Sequence, residues 1–166
     1  MRIVAYFVIM VLLLVFQSSV ISFIPFSGKP DLPLVFALCI SLYKGENLGA
    51  FMGFLNGIFE DMIYGRFLGF NALVKFLTGY VAGYASRDIF KGPALMTMVL
   101  VFLGSLLYDF FFILTNLFIN ELNHPLYHLA PVVLPSAFFN MVLSPLVYTM
   151  VVKMERFFDY YFNIKY

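Results

Sequence analysis

Four ionisable side chains, Glu60, Asp61, Lys75 and Asp109, sit inside stretches otherwise built mostly of Phe, Leu, Val, Ile, Met and Gly. Each such group costs about 2.5–3.5 kcal/mol near the middle of a bilayer, whereas a Leu, Ile, Phe or Val returns only about 0.3–0.6 kcal/mol. A chain that keeps them must turn them toward one another and away from lipid. The third apolar stretch shows the consequence. Projected at about 100° per residue, Gly49, Gly53, Asn56, Gly57 and Glu60 share one arc, and Phe51, Phe54, Leu55, Ile58, Phe59 and Met62 fill the other. Small and polar residues face protein on such a helix, and apolar residues face acyl chains.

Composition closes the soluble alternative. Of 166 residues, 63% are hydrophobic and 11% charged, against about 25% charged in a water-soluble domain. Six apolar segments run Ile3–Ile24, Leu32–Tyr43, Leu48–Tyr64, Phe67–Ser86, Ala94–Ile119 and Leu129–Val152. A span takes about 20 residues. The expectation is an all-α membrane protein, one domain over residues 1–166, folded as a six-helix transmembrane bundle. Its second segment is short: a half-helix, a re-entrant hairpin, or a span lengthened by Pro30–Asp31. The first segment has no small-residue cleavage site and is expected to be retained. The net charge of +1 gives no reason to expect nucleic acid, and the single cysteine, Cys39, builds no disulfide framework.

Lysine and arginine set the orientation. With six spans, Arg2, Lys44, Arg87, Lys91, Lys153, Arg156 and Lys165 fall on one side and only Lys29 and Arg66 on the other. Both termini are therefore expected in the cytoplasm, with the aromatic tail from Phe157 onward at the membrane interface.

In the fourth segment Asn71, Lys75, Thr78, Gly79, Ala82 and Gly83 share an arc opposite Phe70, Leu73, Val74, Leu77, Tyr80, Val81 and Tyr84; in the fifth, Ser105, Tyr108, Asp109 and Asn116 cluster. At about 1.5 Å per residue, Gln17, Asn56, Lys75, Asp109 and Asn140 all fall roughly 12–16 Å below the outer surface. The spacing predicts a buried polar layer centred on a Lys75–Asp109 contact, with Glu60 as a competing partner about one turn higher. Holding helices in register is the plain reading of that layer; a ligand pocket and an ion relay are the alternatives. The glycines four apart, Gly49/Gly53/Gly57 and Gly79/Gly83, let helix backbones approach closely. They suit packing within the bundle or a groove for a partner's transmembrane helix.

Catalytic patterns are missing from the residues. His124 and His128 flank Pro125 without an acidic ligand at suitable spacing, Ser105 has no base at its depth, and no phosphate-binding glycine loop occurs. No enzyme activity, cofactor or metal is expected.

Pro30-Asp31, the apolar run after it, Lys44-Gly45, Gly49, Gly53, Gly57, Asp61, Gly65, Gly69, Ala72-Leu73 and Gly79/Gly83 together resemble the core pattern of the MreD family of rod shape-determining membrane proteins. The motif detail covers about a third of the chain; Glu60 and Lys75 fall outside it, so any role for Lys75 rests on the physical argument. The resemblance implies a non-catalytic inner-membrane scaffold of the cell-elongation machinery. Such a scaffold binds MreC, and through it connects MreB filaments with the RodA–penicillin-binding-protein synthase. The turn of Asp61, Gly65 and Gly69 would shape the outer end where partners meet. The resemblance also implies a fold similar to the substrate-binding subunits of energy-coupling-factor vitamin transporters, which makes such a subunit the first rival reading. Those subunits carry alanines four apart in the first helix, where only Ala5 stands here. A small ion-coupled transporter titrating Asp109 or Glu60 is the second rival, and no internal repeat supports it.

Overall fold

Asp31 starts the helix around which the others are arranged. Its carboxylate accepts a hydrogen bond from the Leu34 N–H at 2.9 Å, and Pro33 lies in the first turn, the combination that opens a helix. In the computed structural model, which describes residues 2–19, 28–64, 68–87, 94–118 and 129–162, this helix is α2, Leu32–Lys44. Its 13 residues span only about 20 Å. All of Leu32 to Leu42 is buried. It packs against every other helix: α1 (Arg2–Ser19), α3 (Glu46–Tyr64), α4 (Phe70–Ala85), α5 (Ala94–Phe118) and α6 (Leu134–Phe162). One π-helical turn, Leu129–Val133, leads into α6.

The six helices match the six apolar segments, and the short second one is a complete helix in the centre. Around it, α1 packs on α3, α3 on α4, α4 on α5 and α5 on α6. Three stretches, Arg2–Ser19, Ala94–Leu114 and Pro131–Tyr161, are long and apolar enough to cross a membrane. Ile3, Val8, Leu12, Leu103, Phe110, Phe138, Val142 and Leu146 are exposed on them, which is the face that lipid would cover. On α3, Phe51, Phe54 and Met62 are exposed as the projection requires. Val74 departs from it: expected to face lipid, it is buried, because α4 is held between α3 and α5 as well as against α2. The last segment also runs further than its hydropathy indicates, α6 continuing helical to Phe162.

Glycine makes the α2–α3–α4 contact possible. A Cβ on Gly57 would overlap the Ala72 backbone, one on Gly53 the Lys75 carbonyl, and one on Gly49 the Ser41 side chain; a Cβ on Gly79 would lie 2.8 Å from the Gly49 carbonyl oxygen. Gly83 meets Glu46 and Ser41 in the same way. The Ser41 hydroxyl donates to the Gly79 carbonyl across this seam. Within α6, Pro145 removes the donor that the Met141 carbonyl would use, and the Ser144 hydroxyl replaces it at 2.7 Å. Backbone groups at membrane depth need such local substitutes.

Gly57→Ala should destabilise the protein by about 1–3 kcal/mol through overpacking against α4, read as a lower midpoint in a thermal melt in detergent. Gly104→Ala should be tolerated, because its Cβ meets only the terminal methyls of Leu38 at 3.0 and 3.1 Å.

Candidate functional site

A helix that begins inside a bundle exposes backbone N–H groups with no partner of their own. At the α2 N-terminus those groups are met by side chains from elsewhere. The Asp31 N–H donates to Asn140 Oδ1 of α6 at 2.9 Å, and the Leu32 N–H donates to Gln17 Oε1 of α1 at 2.8 Å. Asn140 Nδ2 in turn donates to the Ser105 hydroxyl of α5 at 3.0 Å. Three helices are tied to the start of a fourth.

The Asp31 carboxylate has a second task. While Oδ1 caps α2, Oδ2 lies 2.6 Å from Nζ of Lys75, and the same ammonium is 2.6 Å from Glu60 Oε1. Lys75 is fully buried, so its charge has no access to water and is held by two carboxylates. The Tyr108 ring lies 5.3 Å from the ammonium, adding an aromatic face suited to a cation.

This arrangement corrects the expected pairing. Lys75 is joined to Asp31 and Glu60, with Glu60 a principal partner. Among the described residues, Asp109 makes no hydrogen bond or ion pair. It lies on the α5 face with Ser105, but Ser105 is the member that reaches the polar layer. Asn56 is fully buried, and neither of its amide atoms has a hydrogen-bond partner. Of the five side chains placed at one depth, Gln17, Asn140 and Lys75 thus converge on the α2 start.

Asp61 organises the adjacent turn. Its Oδ2 accepts from the Gly69 N–H at 2.8 Å and the Ala72 N–H at 3.3 Å; its Oδ1 accepts from the Asn71 N–H at 3.1 Å and Asn71 Nδ2 at 2.9 Å. A buried carboxylate here satisfies the free donors of the α4 start and complements its dipole. Gly69 carries φ +97°, which its lack of a side chain permits. Asn71 Oδ1 accepts from the Tyr108 hydroxyl at 3.4 Å, which links the turn to the Lys75 group. Gly65 lies outside the described residues, as do His124, His128 and the loop onward from Asn120; nothing is described of the Asn116 side chain.

The opposite pole carries a separate charge network. Glu155, buried on α6, takes the Tyr6 hydroxyl and the Lys44 ammonium, with Arg2 at 3.7 Å. Arg2 also reaches Asp159 at 2.6 Å, and Arg87 grips Glu46 through two nitrogens. Glu155 and Glu46 were not singled out from the sequence, and Asp31 was read only as part of Pro30–Asp31, not as a partner of Lys75. Asp31 had a signal in the Asp-Leu-Pro order; Glu155 and Glu46 read as ordinary charges at helix ends.

The five glycines of the two ladders are all engaged inside the bundle, on α2, α3 and α4. The groove for a partner helix considered above is therefore filled by this chain's own helices. Among the described residues no cluster of His, Cys, Asp and Glu forms a metal site.

A family model described as rod shape-determining protein MreD matches residues 1–154. Neither a curated protein nor a solved structure matches the chain. An all-helical fold with a short second helix is compatible with the expected likeness to the vitamin-transporter subunits.

Lys75→Met should cost about 3–5 kcal/mol, since it strands buried carboxylates. Adding Glu60→Leu should recover part of that loss, whereas adding Asp109→Leu should not couple to Lys75; a double-mutant cycle on detergent melts reads the difference. Asp61→Ala should cost at least about 2 kcal/mol through lost charge-assisted bonds, and Asp61→Asn, keeping one acceptor oxygen, should fall between.

Proposed function

The chain belongs to the MreD family of rod shape-determining membrane proteins, and we propose that it acts as a non-catalytic scaffold in the bacterial inner membrane. In this reading it binds the single-span protein MreC and, through MreC, helps organise peptidoglycan synthesis with MreB and the RodA–penicillin-binding-protein pair. It crosses the membrane several times with both termini in the cytoplasm. The Arg2–Glu155–Lys44 pole then faces the cytoplasm, and the Asp61 turn faces outward.

The observation that carries this reading is the family match over residues 1–154. The polar interior supports it. Lys75, Asp31, Glu60, Asp61, Gln17 and Asn140 are committed to one another and to helix termini. Groups held this way fix helix positions and supply the rigid body that a scaffold needs.

Depletion followed by microscopy tests the proposal: cells should lose rod shape and round up, and tagged chain should capture MreC from solubilised membranes. Normal rods combined with a vitamin requirement would instead identify a transporter subunit. Lys75→Met and Asp61→Ala chains should fail to restore rods in proportion to their loss of folded protein.

A further inference from the structure

Helix α5 holds an acid that the described residues do not engage. Asp109 makes no hydrogen bond or ion pair among the described residues, and it is only partly buried. Its position is about 22 Å along α5 from Ala94, well inside the Ala94–Leu114 span. A carboxylate there carries the insertion penalty of a membrane charge, with no counter-charge paired to it among the described residues. Every other acid of the polar interior, Asp31, Glu60 and Asp61, accepts at least one bond of 2.9 Å or less.

The residues around it form a seam along α5. Phe102, Leu106, Asp109 and Ile113 follow a 4-3-4 spacing, the repeat that keeps one seam facing a partner helix. All four are half-buried, and Leu103 and Phe110 beside them are 54% and 61% exposed. A single negative charge in an otherwise apolar seam selects a helix with a positive charge at the same depth.

We propose that this α5 seam docks one transmembrane helix of a partner that presents a lysine or arginine to Asp109. The proposal rests on the reading that the chain works by capturing a membrane partner, and it names the surface and the chemistry of the capture. Leu103 and Phe110 supply the apolar contact, and Asp109 sets register and selectivity.

The test uses the full chain in lipid nanodiscs with a labelled synthetic Leu/Ala transmembrane peptide. One version carries a lysine at the depth of Asp109 and the other a leucine there, with association read by energy transfer. The lysine peptide should bind roughly tenfold more tightly than the leucine peptide, and Asp109→Asn should abolish that preference. Equal binding of both peptides to the natural chain overturns the proposal.

A second variant separates docking from folding. Asp109→Leu should leave the melting midpoint of the isolated chain unchanged or higher, since it removes an unpaired membrane charge, and should reduce MreC capture. A lowered midpoint would make Asp109 a structural group and overturn the seam. If Asp109→Asn and Asp109→Leu capture MreC as well as the natural chain does, the seam is wrong and the scaffold reading stands. If the natural chain captures no MreC, the scaffold reading itself fails.

Discussion

The buried start of α2 is the constraint on which the rest of this structure depends. Backbone donors at that depth have no water to turn to, and each one left alone costs several kcal/mol. Asn140, Gln17 and the Asp31 side chain supply the acceptors. Because those acceptors belong to α6, α1 and α2, satisfying one helix end fixes the relative height of three helices. Lys75 and Glu60 extend the same arrangement to α4 and α3. Ser105 extends it to α5.

A short central helix and close glycine contacts are two sides of one solution. With only 13 residues, α2 contributes little length, and its value lies in being surrounded on every side. Gly49, Gly53 and Gly57 bring α3 onto α2 and α4, where Cβ atoms would overlap backbone or Ser41. That proximity is what lets Glu60 of α3 and Lys75 of α4 meet beside Asp31. Packing and polar pairing are thus coupled: widening the α3–α4 seam would also lengthen the Lys75 contacts, in a medium where an unpaired charge is expensive.

Charge is concentrated at the two ends of the bundle and divides their roles. The pole with both chain ends ties α1, α2 and α6 through Glu155 and α3 to α4 through Glu46 and Arg87. The other pole ties all six helices through Asp31, Lys75 and Glu60 together with Gln17, Asn140 and Ser105. Between them the helices offer lipid an apolar surface, interrupted on α5 by Asp109. A body braced at both ends suits the scaffold role proposed above.

Hydropathy and helical period were enough to determine the number of helices, the membrane class and the inward face of α3. These follow from local rules: apolar surface seeks lipid, and small residues permit close approach. The partner of Lys75 was decided only in three dimensions. Asp109 and Glu60 were the candidates at similar depth, and depth along a helix does not say which face of which neighbour lies opposite. Asp31 is joined to Lys75 because α2 begins inside the bundle, which brings its capping carboxylate to the level of α4. The burial of Val74 and the filling of the glycine groove have the same origin: each depends on how many neighbours a helix acquires, a property of the assembled bundle that no single segment carries.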